Sequence, residues 1–253
     1  MTYDREVVVQ GMLRYYRLLA KLAYLEDSEI LVPPPTGWPD EQLLMGMLVS
    51  TNRSDLVIDL VKHLPYLRRD RDLEIYPPCR AVSYLRESAD QDAQSPKTAR
   101  RYFHLQLMPF GITIKAPGNM IVLASDLRVD AWVLDIDDDV VYHCDSTLWD
   151  ENARDDEPWK QFGKRRGTRA FFNYMCRLLE RLVIVPVPEP VLWFEGGRSG
   201  KGRRIIGLLT RHGWPDNLDK EAYLESIREY DAAVRRKMVR DAEREEAETQ
   251  GED

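Results

Sequence analysis

Apolar residues recur at helical spacing over Arg5–Leu25, where Val8, Met12, Tyr15, Leu19 and Leu22 share one face and Asp4 is placed to cap the first turn. An amphipathic first helix is predicted there. The run Leu31-Val32-Pro33-Pro34-Pro35-Thr36-Gly37 is held extended, since each proline fixes φ and biases the residue before it away from the α region. With Trp38 next in sequence, it reads as an ordered strap. Pro39-Asp40-Glu41 supplies a helix start leading into Leu43–Val49. A third helix is expected from Ser54 to Pro65, with Leu56, Leu60 and Val61 or Leu64 facing inward. Within Asp70–Ala99, Tyr76-Pro77-Pro78-Cys79 excludes a helix, Ala81–Arg86 suits a short strand, and Glu87–Ala99 is polar enough for a loop of low order.

The period then changes. Met120–Ala124, Ala131–Ile136 and Val140–Cys144 are β-rich runs joined by polar links of a few residues, which favours antiparallel neighbours and a meander over 120–145. Asp137-Asp138-Asp139 suits a tight turn, because aspartate tolerates the left-handed region and bonds its own backbone. Pro109–Pro117 is expected to lead into this sheet. After an acidic loop at Asp150–Glu157, Thr168–Arg181 reads as a helix with Phe171, Phe172, Met175, Leu178 and Leu179 on one side. Val183–Val187 is a strand candidate and Val191–Phe194 a short apolar run. Gly196–Gly202 then reads as a flexible turn and Arg203–Arg211 as a helix. From Leu218 to about Glu248 the chain favours a helix, with Tyr223, Ile227, Tyr230, Val234 and Met238 spaced to pack and the charged end from Arg240 fraying. The expected fold is α+β, with a central, mostly antiparallel sheet flanked by N- and C-terminal helices. We expect one domain over 1–239, with helices at 4–65, the sheet region at 100–195, C-terminal helices at 203–239, and a charged tail at 240–253.

Composition narrows the function classes. With 253 residues, 43% of them apolar, the chain can bury a substantial core. A net charge of −7 repels phosphate on average, which argues against nucleic acid and anionic membranes as partners. Cys79, Cys144 and Cys176 are an odd number without metal-ligand spacing, which fits free thiols in a reducing compartment. The N-terminal sequence lacks a basic stretch followed by an apolar run, and no segment approaches the ~20 apolar residues needed to cross a bilayer. A cytoplasmic or nuclear protein without membrane contact is expected.

Several chemical signals compete with structural explanations. The cluster Asp135-Ile136-Asp137-Asp138-Asp139 can hold a hard cation through alternating carboxylates. It fails as an EF-hand, because Val140 stands where glycine is needed and Ser146 where a bidentate glutamate is needed. The hairpin turn is preferred. The alternative is an Asp-x-Asp site at Asp135, Asp137 and Asp139 for Mg2+ or Mn2+, in a transferase or phosphoryl-handling enzyme. Glu195–Gly202 has the setting of a phosphate loop but misses its first glycine, and Gly202 follows Lys201 where a serine or threonine is required. Arg198, Lys201, Arg203 and Arg204 there can still bind an acidic partner. Lys164–Arg169 is a second basic cluster, expected to be a solvated helix start. His63, His104, His143 and His212 lie in unrelated contexts, and no Ser-His-Asp, Cys-His, Gly-x-Ser-x-Gly or His-Glu-x-x-His arrangement occurs. His143 beside Cys144 is preferred as an ordinary half-buried strand residue. Gly-Trp-Pro-Asp occurs twice, at Gly37–Asp40 and Gly213–Asp216. Functionally, Trp38 and Trp214 would form an aromatic platform. Structurally, glycine permits the turn, tryptophan anchors it and proline begins a helix.

Taken in order, Pro33–Pro39, Val57–Tyr66, Ile121–Leu123 with Trp132-Val133-Leu134-Asp135, and Arg211–Asp216 resemble a family of uncharacterised filamentous-fungal proteins similar to the Smi1/Knr4 (SUKH) superfamily. The resemblance spans most of the chain, and its motifs are structural. It implies an α+β fold with a central sheet, no catalytic residue, and protein binding as the activity. Superfamily members include toxin-immunity proteins and a fungal cell-wall signalling regulator. The chain departs from the pattern at Asp126–Asp130 and Asp137–Asp139, where glycine-rich turns usually join the strands. The expectation is therefore a non-enzymatic protein-interaction module without a cofactor, for which Trp38, Trp132, Trp214 and the four basic residues of the 198–204 loop are the binding candidates.

Overall fold

The computed structural model describes residues 3–68, 73–86, 117–126, 130–145, 158–189 and 193–250. The expectations for Glu87–Ala99, His104, Pro109–Ala116, the Asp150–Glu157 loop and Val191-Leu192 fall outside them. The chain divides into two compact units, one of Met1–Leu18 with Glu26–Arg177, the other of Leu19–Leu25 with Leu178–Asp253.

The first unit begins with helix α1 (Arg5–Lys21), whose first turn is capped as predicted, Asp4 Oδ1 accepting the Glu6 N–H at 3.0 Å. Two short strands, β1 (Ile30–Leu31) and β2 (Tyr66–Leu67), pair antiparallel. Between them the chain passes the proline strap, a 3-10 turn at Asp40–Gln42, α2 (Met45–Ser50) and α3 (Asp55–His63). Ser54 caps α3 through its hydroxyl, which accepts the Val57 N–H. Val57, Leu60, Val61 and Leu64 are buried at helical spacing. Leu56, expected inside, is 52% exposed.

Six strands then form one antiparallel sheet in chain order: β3 (Glu74–Tyr76), β4 (Cys79–Ala81), β5 (Met120–Ser125), β6 (Ala131–Asp135), β7 (Val140–Cys144) and β8 (Gly163–Gly167). The meander is present as read, with Val133 of β6 opposite Val122 on one side and Tyr142 on the other. Every β6 residue is buried, which explains why its sequence is a continuous apolar run instead of an alternating one. Two local expectations are corrected. The strand near Cys79 lies at Cys79–Ala81, paired with β3 around Pro77-Pro78, and in Ala81–Arg86 only Leu85 adds an isolated bridge, to Leu43. Lys164–Gly167 is not a helix start: Gly163–Gly167 pairs with β7 along its whole length, and α5 (Thr168–Glu180) begins only after it. An unfilled β7 edge outweighs the weak local preference of a basic segment. A short helix α4 (Pro158–Phe162) precedes β8.

Aromatic packing fills the centre of this unit. Trp132 is fully buried, with the rings of Tyr15, Tyr76 and Phe171 at 5.5, 5.9 and 5.2 Å. Two buried hydroxyls donate to carbonyls, Tyr15 to that of Ile75 and Tyr84 to that of Val122. Arg53 is buried too, and its Nη1 donates to the carbonyls of Pro117 and Met120 at 2.8 Å each, tying the link between α2 and α3 to the start of β5.

The second unit holds Leu19–Leu25, a hairpin of β9 (Ile184–Val187) and β10 (Trp193–Gly196), α6 (Gly200–Arg211) and α7 (Lys220–Gln250). Tyr24 packs on Phe194 with ring centroids 5.1 Å apart. On α7, Tyr223 and Ile227 are buried as predicted, but Met238 is 66% exposed. The helix also continues to Gln250, through the segment where charge predicts fraying.

Candidate functional site

The two Gly-Trp-Pro-Asp copies are anchors. Gly37 (φ 84°) and Gly213 (φ 100°) take the left-handed conformation that favours glycine. Trp38 donates its backbone N–H to Lys62 O at 2.7 Å and its indole N–H to Leu64 O at 2.9 Å. Lys62 in turn pairs with Asp40 at 2.6 Å. Trp214 is buried under Lys21, whose ammonium lies 5.1 Å above the ring. The helix-start role holds only in part. Pro39 precedes the 3-10 turn, whereas Pro215 lies in a turn closed by Asn217 N–H to Gly213 O, and α7 starts at Lys220, where Asp219 Oδ1 accepts the Ala222 N–H.

The aspartate cluster does turn chemistry. Asp135 is 7% exposed, and its Oδ1 accepts from Asn119 Nδ2 at 2.7 Å and from the backbone N–H of Asp137 and Asp138 at 3.1 and 3.3 Å. Burial raises its pKa above the ordinary carboxylate value, while the Asp138 and Asp137 amides pull the other way. Asp137 and Asp138 are exposed, and Asp139 takes a left-handed φ of 52°, its carbonyl accepting the Thr168 N–H. A cation on Asp135 Oδ1 must displace three N–H donors. Among the described residues, no group of three or more His, Cys, Asp or Glu side chains is placed to hold a metal ion. His143 sits among the rings of Tyr76, Trp132 and Phe171, and burial, reinforced by Arg166, lowers its pKa to about 4. It is neutral at physiological pH.

The phosphate-loop-like segment is a capped helix start. Ser199 Oγ accepts the Gly202 N–H at 2.8 Å and donates to Glu195 Oε2 at 3.0 Å. A Cβ on Gly202 would lie 2.0 Å from Gly196 O, so that glycine answers to backbone approach within the turn. The turn expected to extend through Gly202 therefore gives way to α6 at Gly200. Arg198, Lys201, Arg203 and Arg204 are all exposed on and before its first turn.

Beside them lies a surface that the sequence did not single out. Trp193 on β10 is 42% exposed, and Lys201 Nζ is held 5.0 Å over its indole. Together they sit at a small cleft of about 40 Å3, lined also by Ile205 of α6 and by Tyr230, Asp231 and Val234 of α7. Asp231 is engaged by Arg235 at 2.7 Å. The cleft thus offers an apolar hole, a rigid aromatic wall and one cation, Lys201, with the carboxylates of Glu195 and Asp231 also in its lining. In sequence Trp193 was only part of an apolar run. The signal that marks it is tertiary: among the described residues β10 pairs only with β9, which leaves part of Trp193 uncovered. Trp132, by contrast, is at the core and Trp38 and Trp214 are anchored; of the four predicted basic residues Lys201 lines the cleft, and Arg198, Arg203 and Arg204 are exposed on the same loop and helix start. No family model, no curated protein and no solved structure matches the chain.

Proposed function

We propose that this chain is a non-enzymatic protein-interaction module of SUKH-like type, acting in the cytoplasm or nucleus. It binds a partner segment that inserts an apolar side chain beside Trp193 and sets carboxylates against Arg198, Lys201, Arg203 and Arg204. The observation that carries this is the half-exposed Trp193 under Lys201 at the mouth of an apolar cleft. Tryptophan and tyrosine around a small, largely apolar hole are side chains enriched in binding hot spots. Cys79, Cys144 and Cys176 are buried and outside any disulfide, and burial raises the pKa of the first two, which fits a reducing compartment.

The test is photo-crosslinking in cells from a reactive residue placed at Arg198, in the otherwise native chain and with Trp193→Ala and Lys201→Glu added. Both of these side chains are exposed, so far-UV circular dichroism should be unchanged. One or a few crosslinked proteins should be lost with the substitutions. Retention of the same set in the substituted chain counts against the assignment.

A further inference from the structure

The six-stranded sheet ends in two edges that differ in what they leave open. At one end, β3 is three residues long and its pairing with β4 shifts register between Glu74 and Tyr76. The carbonyl of its middle residue, Ile75, is also taken by the Tyr15 hydroxyl. At the other end, β8 pairs with β7 without a bulge, from Gly163 opposite Cys144 to Gly167 opposite Val140. Among the described residues, the backbone of Lys164, Arg165 and Arg166 bonds only to β7, so the groups that point away from β7 form a regular edge.

The side chains of β8 decide what can add to that edge. Lys164 and Arg166, opposite His143 and Val141, stand on one face of the sheet, and Arg165, opposite Tyr142, stands on the other. Lys164 reaches Asp145 only at 4.0 Å and Arg165 reaches Asp138 only at 3.6 Å. Both cations are more than half exposed, so water screens these pairs and an incoming carboxylate can compete for them. Arg166 is held over the Tyr174 ring at 4.2 Å. A second copy of β8 would set cations against cations, which disfavours self-pairing. At the end of the strand, Gly167 has open space where a side chain would stand. We propose that the β8 edge binds an extended acidic segment of another protein by strand addition, its backbone pairing along 163–167 and its successive carboxylates facing Lys164, Arg165 and Arg166. This surface shares no residue with the Trp193 cleft.

Calorimetry and amide hydrogen exchange of the full chain test this, with a synthetic peptide of three consecutive glutamates flanked on each side by two valines. The expected result is saturable binding in which the amides of 163–167 exchange at least ~10-fold more slowly than in the free chain. The chain carrying Lys164→Glu and Arg165→Glu, both at exposed positions, should bind this peptide at least ~10-fold more weakly and should take the peptide with three lysines instead. The glutamate peptide N-methylated throughout keeps its carboxylates but cannot donate to the ladder, so it too should bind at least ~10-fold more weakly. No binding of the glutamate peptide up to ~1 mM overturns the proposal. So does equal binding by the N-methylated peptide or by the charge-reversed chain. Protection that appears over 198–204 instead of 163–167 overturns it as well, and leaves the acidic partner to the Trp193 cleft alone.

Discussion

Replacing Asp135 separates a turn from a metal site. In the fold, Asp135 Oδ1 accepts three N–H groups while the residue is almost wholly buried. Asp135→Ala removes the acceptor. The amides of exposed Asp137 and Asp138 can turn to water, whereas the Asn119 donor at 2.7 Å loses its partner in a half-buried place. At about 1 kcal/mol for each lost bond, partly offset by relief of a buried charge, the cost is roughly 2 kcal/mol. For a chain of this size that is a fall in Tm of about 4–8 °C. Asp135→Asn keeps an oxygen in place of Oδ1 and sheds the charge that burial penalises, so it should cost less than ~1 kcal/mol. Thermal unfolding followed by near-UV circular dichroism reads both variants, since Trp132 lies three residues away on the same strand. Mg2+ and Mn2+ at millimolar concentration should leave all three proteins unchanged. An Asn variant that costs as much as Ala, or an ion that raises the Tm of the native chain and not that of the Asn variant, would instead assign Asp135 to a cation site.

Arg53→Ala should cost about 3 kcal/mol, because it removes two buried charged hydrogen bonds, to the Pro117 and Met120 carbonyls, of which only the Pro117 oxygen keeps the Met120 N–H, and Arg53→Lys should recover only part of it; urea midpoints of the two variants decide. His143 has a folded pKa lowered to about 4 from 6.5, so its stability contribution is complete above pH 6.5 and is lost as the pH falls towards 4, by about 3 kcal/mol in all. Urea midpoints at pH 7, 6 and 5 should fall accordingly, and His143→Phe, which keeps an aromatic ring beside Tyr76, should flatten that dependence. An unaltered slope in the variant would assign the acid sensitivity to other groups.

The sequence by itself determined those parts of the fold where short-range chemistry and burial agree. Asp4 caps α1, Ser54 caps α3, and the three β-rich runs became β5, β6 and β7 with links too short for any but antiparallel pairing. The aspartate turn was legible for the same reason, because Asp135 accepts from backbone N–H groups two and three residues on and Asp139 takes the left-handed φ that aspartate tolerates. Tertiary structure decided the rest. Gly163–Gly167 became a strand because β7 had an edge to fill, and Leu56 stays at the surface although Leu60, one turn further on, is buried. Pro215 heads a turn instead of a helix because backbone bonds around Gly213 close the chain there first. The candidate site shows the same division. Its cations are visible along the chain, but Trp193, Ile205, Tyr230 and Val234 come from a hairpin and two helices and share a cleft only after packing. Periodicity reports how a residue faces its own element, whereas which elements leave a face uncovered is set by neighbours distant in sequence.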